Sequence, residues 1–177
     1  DSSRANYEFL ASAGSFARPG TTGSSAVGAP SASLPRTGAA KLGKVIRTVD
    51  AVNPGTLADD LARSFAGGKY AEVALRADVV LYRAGTASRP WGQFFSTDCP
   101  QGVIQARIDK AIMPKWPGGG SSPIDSVIAV RVRRNTRVYV GEASSQGGIY
   151  VGGTEQIVIV EPWNIRGATV ISVTPLQ

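Results

Sequence analysis

The 177-residue chain predicts an α+β fold, with one or two short N-terminal helices followed by a core of β-strands. An early stretch, NPGTLADDLARSFAGGK, carries helix punctuation and apolar residues at four-residue spacing. Four apolar strand patterns, DSVIAVRVR, TRVYVG, EQIVIVE and ATVISVT, close the chain. The two kinds of pattern do not alternate as βαβ units would, which points to mixed or antiparallel sheets.

Taken in order, residues 1–40 are rich in Gly, Ala, Ser and Pro and read as a flexible arm or linker. The piece NYEFLASA within them has too little apolar content to stand alone as a helix. Residues 41–177 are expected to form a single domain, because halving a chain that is 42% apolar leaves each half too little core. The chain opens on Asp1 without Met, as a processed product or a piece of a longer polypeptide would.

Order is expected from KLGKVIRTVD onward. In the next segment Thr56 is placed to cap a helix, with Asp59 three residues on as a weaker capping box. Leu57, Leu61 and Phe65 form its buried stripe, and Gly67 and Gly68 offer a left-handed exit. EVALRADVVLYRAG alternates well enough for one or two strands ending in Tyr82, Arg83 and Gly85. WGQFFST predicts a short aromatic strand, VIQARIDKAIMP a helix stopped at Pro114, and KWPGGGSSP a loop.

Many chemistries are excluded by what the chain lacks. It has no histidine, which removes a Ser-His-Asp arrangement, and no glycine-rich phosphate loop, zinc cluster or calcium loop, so no metal is expected. Cys99 is the single cysteine; it cannot form a disulfide within the chain and is expected to pack in the interior. No stretch approaches the roughly 18 apolar residues of a membrane-spanning helix, and no signal peptide is evident.

Nineteen Lys and Arg against thirteen Asp and Glu give a net charge of +6, which favours phosphate-bearing ligands or acidic partners. Arg131, Arg133, Arg134 and Arg137 form a basic stretch. Alternation sets Arg131 and Arg133 opposite Val130 and Val132, so these arginines read either as a solvated sheet face or as contacts to a phosphate backbone.

The remaining candidates stand where strands end. Arg83 closes an apolar strand ahead of Gly85; its rigid fork of donors suits a diphosphate, and the alternative is a salt bridge to Glu72 or Asp78. In RPWGQFFST, Arg89 adds a second cation. Trp91 and Phe94 offer aromatic faces to a nicotinamide or adenine, and Ser96 and Thr97 offer hydroxyls to an amide or ribose edge. Arg107, on the following helix, can close over a phosphate. Gly147, Gly148, Gly152 and Gly153 permit sharp turns and close approach of a ligand, and then Glu155 or Gln156, depending on strand phase, points into the cleft.

The order VVLYRAG, WGQFFST, a helix ending in IMP, and QGGIYVGGTEQIVIV resembles toxin domains of the necrotizing-toxin type. The similarity spans roughly residues 75–160. Arg83 matches the arginine of that family's first motif, Gly92, Phe94 and Ser96 its second, Arg107 its helical arginine, Gly152 and Gly153 its glycine turn, and Gln156 its last glutamine. Thr154 and Glu155 lengthen the polar run before Gln156, and the histidine that members often add is absent here.

The resemblance implies a split, mostly antiparallel mixed sheet and hydrolysis of NAD, as substrate and without metal, to nicotinamide and ADP-ribose. It further implies a cognate immunity protein, a larger delivery polypeptide at the N-terminus, and a secreted or delivered effector acting in the cytoplasm of a target cell. Mono-ADP-ribosyltransferase toxins use a similar order of arginine, Ser-Thr pair and glutamate, matched by Arg83, Ser96–Thr97 and Glu155. That alternative adds a macromolecular acceptor. Glu155 facing inward favours transfer, and Gln156 facing inward favours hydrolysis. A nonenzymatic basic binding domain is the third reading.

Overall fold

The computed structural model describes residues 38–115 and 119–177. The arm proposed for residues 1–40, including NYEFLASA, lies outside the described residues up to position 37. The elements are α1 (Ala39–Leu42), β1 (Gly43–Val49), α2 (Asp59–Ala62), β2 (Phe65–Leu75), β3 (Val79–Gly85), β4 (Phe94–Phe95), α3 (Val103–Asp109), β5 (Ser126–Val132), β6 (Arg137–Ala143), β7 (Glu155–Val158), a 3-10 turn (Pro162–Asn164) and β8 (Ala168–Pro175).

The fold is α+β, with few helices and two antiparallel sheets. One sheet runs β1-β2-β6-β7-β4 and the other β3-β5-β8. Every strand pairing among the described residues is antiparallel, within the mixed or antiparallel sheets expected from sequence. A single bridge joins the sheets: Tyr82 and Ser96 exchange backbone hydrogen bonds at 2.9 and 2.8 Å.

Strand alternation assigns the packing. Ala71, Val73, Val138, Val140, Ile157, Ile159 and Phe95 share one face of the five-stranded sheet and pack against Leu81, Ile128, Val130 and Val132 of the other. Residues that stand opposite each other in register share a face, so this inner face follows from the pairings themselves. The outer face of the five-stranded sheet carries Tyr70, Tyr139 and Val158 under Leu57, Leu61 and Phe65.

The stripe Leu57, Leu61 and Phe65 is therefore buried on one cluster, but not along one helix. Only Asp59–Ala62 is helical, with no side-chain cap. Thr56 instead donates its hydroxyl to Glu72 Oε1 at 3.2 Å. Ser64 Oγ donates to the Leu61 carbonyl at 2.6 Å, the local competition that ends short helices. Phe65 already begins β2, and Gly67 and Gly68, at φ 63° and 66°, form the bulge between Phe65 and Tyr70.

The helix expected to run to Pro114 stops at Asp109. Ala111 adopts φ 51°, the Ile112 amide donates to the Arg107 carbonyl at 2.9 Å and the Ala111 amide to the Ile108 carbonyl at 3.4 Å. These two bonds are those of a Schellman stop, with alanine where glycine is usual.

Candidate functional site

Arg83 follows Leu81 by two residues on β3, so its side chain leaves the strand on the inner face, where the core between the sheets runs out. The turn Thr86–Arg89 wraps around it, closed by a bond from the Arg89 amide to the Thr86 carbonyl. Asp125 Oδ1 accepts from the Ala87 amide and fixes the turn to the start of β5. Arg83 Nη1 donates to the carbonyls of Pro90 at 2.9 Å and Arg89 at 3.2 Å.

Two glycines make room for the guanidinium. A Cβ on Gly92 would lie 2.5 Å from Nη2, and one on Gly85 would lie 2.8 Å from Nη1. Glu72 and Asp78, the carboxylates considered for a salt bridge, are engaged elsewhere: Glu72 accepts from Thr56 and Asp78 from the Arg134 amide. Among the described residues Arg83 meets no carboxylate, and Nη1 is its only donating nitrogen. Burial lowers its pKa to about 10, so it remains cationic at neutral pH. Among the described residues it is a half-buried cation with donors to spare and no counterion, a combination whose chemistry suits an anion.

Glu155 stands on the same face as Ile157 and Ile159, the inner one. Its Oε1 accepts from Thr97 Oγ1 at 2.7 Å and its Oε2 from the Gly38 amide at 3.0 Å. The end of α3 pins its backbone. Lys110 Nζ donates to the Glu155 carbonyl at 2.6 Å, Thr154 Oγ1 to the Asp109 carbonyl at 2.6 Å, and the Gly152 amide to the Ile108 carbonyl at 3.0 Å. Lys110 is half-buried; desolvation lowers its pKa, against the pull of Asp98, Glu155 and Asp109.

The strand phase left open by the sequence is thus decided. Gln156 points to the outer face, where it is 6% exposed and donates from Nε2 to Ser64 Oγ at 2.9 Å and to the Ser64 carbonyl at 3.3 Å. Its amide is used in holding β7 to the start of β2. Continuing the antiparallel register by one residue from Tyr82–Ser96 sets Arg83 beside buried Phe95, and continuing it from Phe95–Ile157 sets Thr97 beside Glu155. Arg83 and Glu155 therefore share a face two strands apart and two residues offset along the strands, roughly 12 Å between Cα positions at the usual spacings. Phe95 lies between them on the sheet.

The other sequence candidates divide in the same way. Trp91 is half-buried against the inner core, beside Gly92. Phe94 packs on the outer cluster with Val158. Ser96 is buried and donates to the Asp98 carbonyl. Arg89 lends its backbone carbonyl to Arg83. Arg107 donates to the carbonyls of Ile112 and Ser122, tying the end of α3 to the loop that follows. Gly152 and Gly153 serve the connection into β7: a Cβ on Gly152 would lie 2.5 Å from the Ala143 carbonyl oxygen, and the Gly153 amide donates to that same oxygen. Gly152 thus admits the protein's own backbone, whereas a Cβ on Gly153 would meet open space. Cys99, expected in the interior, is exposed.

Among the described residues no group of three or more His, Cys, Asp or Glu side chains could hold a metal ion, and no helix is long and apolar enough to cross a membrane. No local pattern marks Ser64, Lys110 or Gly38 as partners of the β7 entrance, because their contacts close over 92, 45 and 117 positions respectively.

No family model matches the chain, and no curated protein matches it. Among solved structures it is similar to one described as Tne2 in complex with Tni2. The identity is 15%, the match covers 60% of this chain and 92% of that one, and the TM-score is 0.47.

Proposed function

We propose that this chain consumes NAD by breaking the bond between nicotinamide and its ribose, with Arg83 on the diphosphate and Glu155 on the ribose. The observation that carries the reading is Arg83: a guanidinium seated between Gly85 and Gly92, without a carboxylate among the described residues, on the same sheet face as Glu155. The motif order from Arg83 to Glu155, similar to that of NAD-consuming toxin domains, supports the choice of a dinucleotide over other diphosphates.

In this mechanism the leaving group departs as neutral nicotinamide from a ribosyl centre that gains positive charge, and a water oxygen, or an acceptor's nucleophile in transfer, bonds to that centre and loses its proton to solvent. Arg83 holds the diphosphate through the donors its protein contacts leave free. Glu155, fixed through its backbone by Lys110, accepts from the ribose hydroxyls once it exchanges the Gly38 or Thr97 contact, and its negative charge favours the oxocarbenium-like transition state. Trp91 offers a ring face beside Gly92. Gln156 has no part in this scheme, since its amide is held by Ser64.

The same phase supports ADP-ribosyl transfer as the second reading, because the glutamate rather than the glutamine faces inward. Under either reading the domain acts as a toxin, with an immunity protein and an upstream delivery polypeptide as its partners. The test is to follow free nicotinamide from NAD, with and without cell lysate. Release by the chain alone supports hydrolysis, and release that depends on lysate, with label appearing on a macromolecule, supports transfer. Glu155→Gln is expected to slow either reaction about 100-fold, the loss typical of a transition-state contact. Full turnover by Arg83→Ala would sink both readings.

A further inference from the structure

The connection from β5 to β6 passes from one sheet to the other and carries Arg133, Arg134 and Arg137, all exposed. Its backbone is fully anchored. The amides of Arg133, Arg134, Asn135 and Thr136 donate to the Gly167 carbonyl, Asp78 Oδ1, the Leu75 carbonyl and the Arg133 carbonyl, and Asn135 holds φ 64° at the turn. The three arginines therefore project from a rigid platform and line a cavity of about 540 Å³ whose wall includes Tyr139.

From this we infer a second ligand site, which takes a phosphate ester. The volume falls in the range of small-ligand clefts. Among the described residues none of the three guanidinium groups meets a carboxylate, and a fork of guanidinium donors matches phosphate oxygens. The site is separate from Arg83, which pairs with Ile128: Arg133 stands five positions beyond Ile128 along the chain, roughly 16 Å at strand rise. An anchored backbone, three exposed cations and an open depression walled by Tyr139 occur together here. The source of the phosphates is either a free nucleotide or a strand of nucleic acid.

The test uses the full chain, labelled with nitrogen-15, titrated with inorganic pyrophosphate, ATP and a single-stranded RNA of about 12 nucleotides at moderate salt. Amide resonances of residues 133–137 are expected to shift, in wild type and in Arg83→Ala alike. Arg133→Gln, Arg134→Gln and Arg137→Gln should each weaken binding about fivefold, and the triple variant roughly 100-fold. Arg131→Gln removes the same charge from the same strand outside the cavity and should cost no more than about twofold. Saturation by ATP with no gain from RNA identifies a nucleotide; tighter RNA binding with a steep salt dependence identifies a strand. The inference is overturned if none of the three probes shifts these amides, if Arg131→Gln weakens binding as much as Arg133→Gln, or if polyglutamate of equal charge binds as tightly. Nicotinamide release by the triple variant should stay at the wild-type level, so that loss of this site and loss of the NAD reading are separable.

Discussion

Gly92→Ala isolates the seat of Arg83. The new Cβ would stand 2.5 Å from Nη2, 2.6 Å from Cζ and 2.8 Å from Nε, whereas ordinary carbon contacts lie at about 3.5–4.0 Å, so the guanidinium must withdraw by roughly 1 Å. Gly85 approaches the same group, with a Cβ position 2.8 Å from Nη1, which limits sideways escape. The movement breaks the Nη1 bonds to Pro90 and Arg89. With water able to replace part of them, the expected loss of stability is about 1–3 kcal/mol. Turnover should suffer more, about 100-fold, because a misplaced binding group loses the reactive geometry. Thermal or urea unfolding and nicotinamide release measure the two effects. In an Arg83→Ala background the clash has no partner, and Gly92→Ala should then be nearly neutral. Wild-type stability and turnover in Gly92→Ala, or an equal stability loss in both backgrounds, would refute the seat.

Three further outcomes are expected. Gln156→Leu removes the donors to Ser64 and should cost about 1–3 kcal/mol in urea unfolding, while turnover per folded molecule stays unchanged; a selective loss of turnover would return Gln156 to the site. Gly152→Ala, strained at φ 63° and 2.5 Å from the Ala143 carbonyl oxygen, should destabilise clearly more than Gly153→Ala, at φ 80° with open space around it, the latter costing about 1–2 kcal/mol. On the alkaline side, burial lowers the Lys110 pKa below 10.5, so the unfolded chain binds more protons and this group's contribution to stability rises with pH between the lowered value and 10.5. Tyr70, raised above 10.0 chiefly by burial, acts with the opposite sign, its contribution falling as pH rises past 10.0. Unfolding series across this range should show Lys110→Met losing the rising component and Tyr70→Phe the falling one.

Arg83 was legible in the sequence because a charged residue ends an apolar run beside glycine, a pattern carried by neighbours in the chain. The four closing strands were legible for the same reason, since period-two alternation is set by the backbone at each residue. The basic character of residues 131–137 is likewise composition. Glycines at positions 147–153 announced turns, but not which atoms would crowd them: Gly152 yields to Ala143 and α3 rather than to a ligand.

What the sequence determined by itself is the α+β class, the strand candidates, the absence of histidine chemistry and the placing of arginines at strand ends. Tertiary structure decided which of Glu155 and Gln156 faces inward, that Arg107 and Gln156 brace the framework, that β4 shrinks to two residues, and that Arg83 lacks a carboxylate among the described residues. These depend on register and on contacts between segments tens of residues apart. A shift of one position would exchange the two faces of β7, and the energy that selects the register comes from burying Ile157 and Ile159 between the sheets, a choice that no local pattern around Glu155 contains.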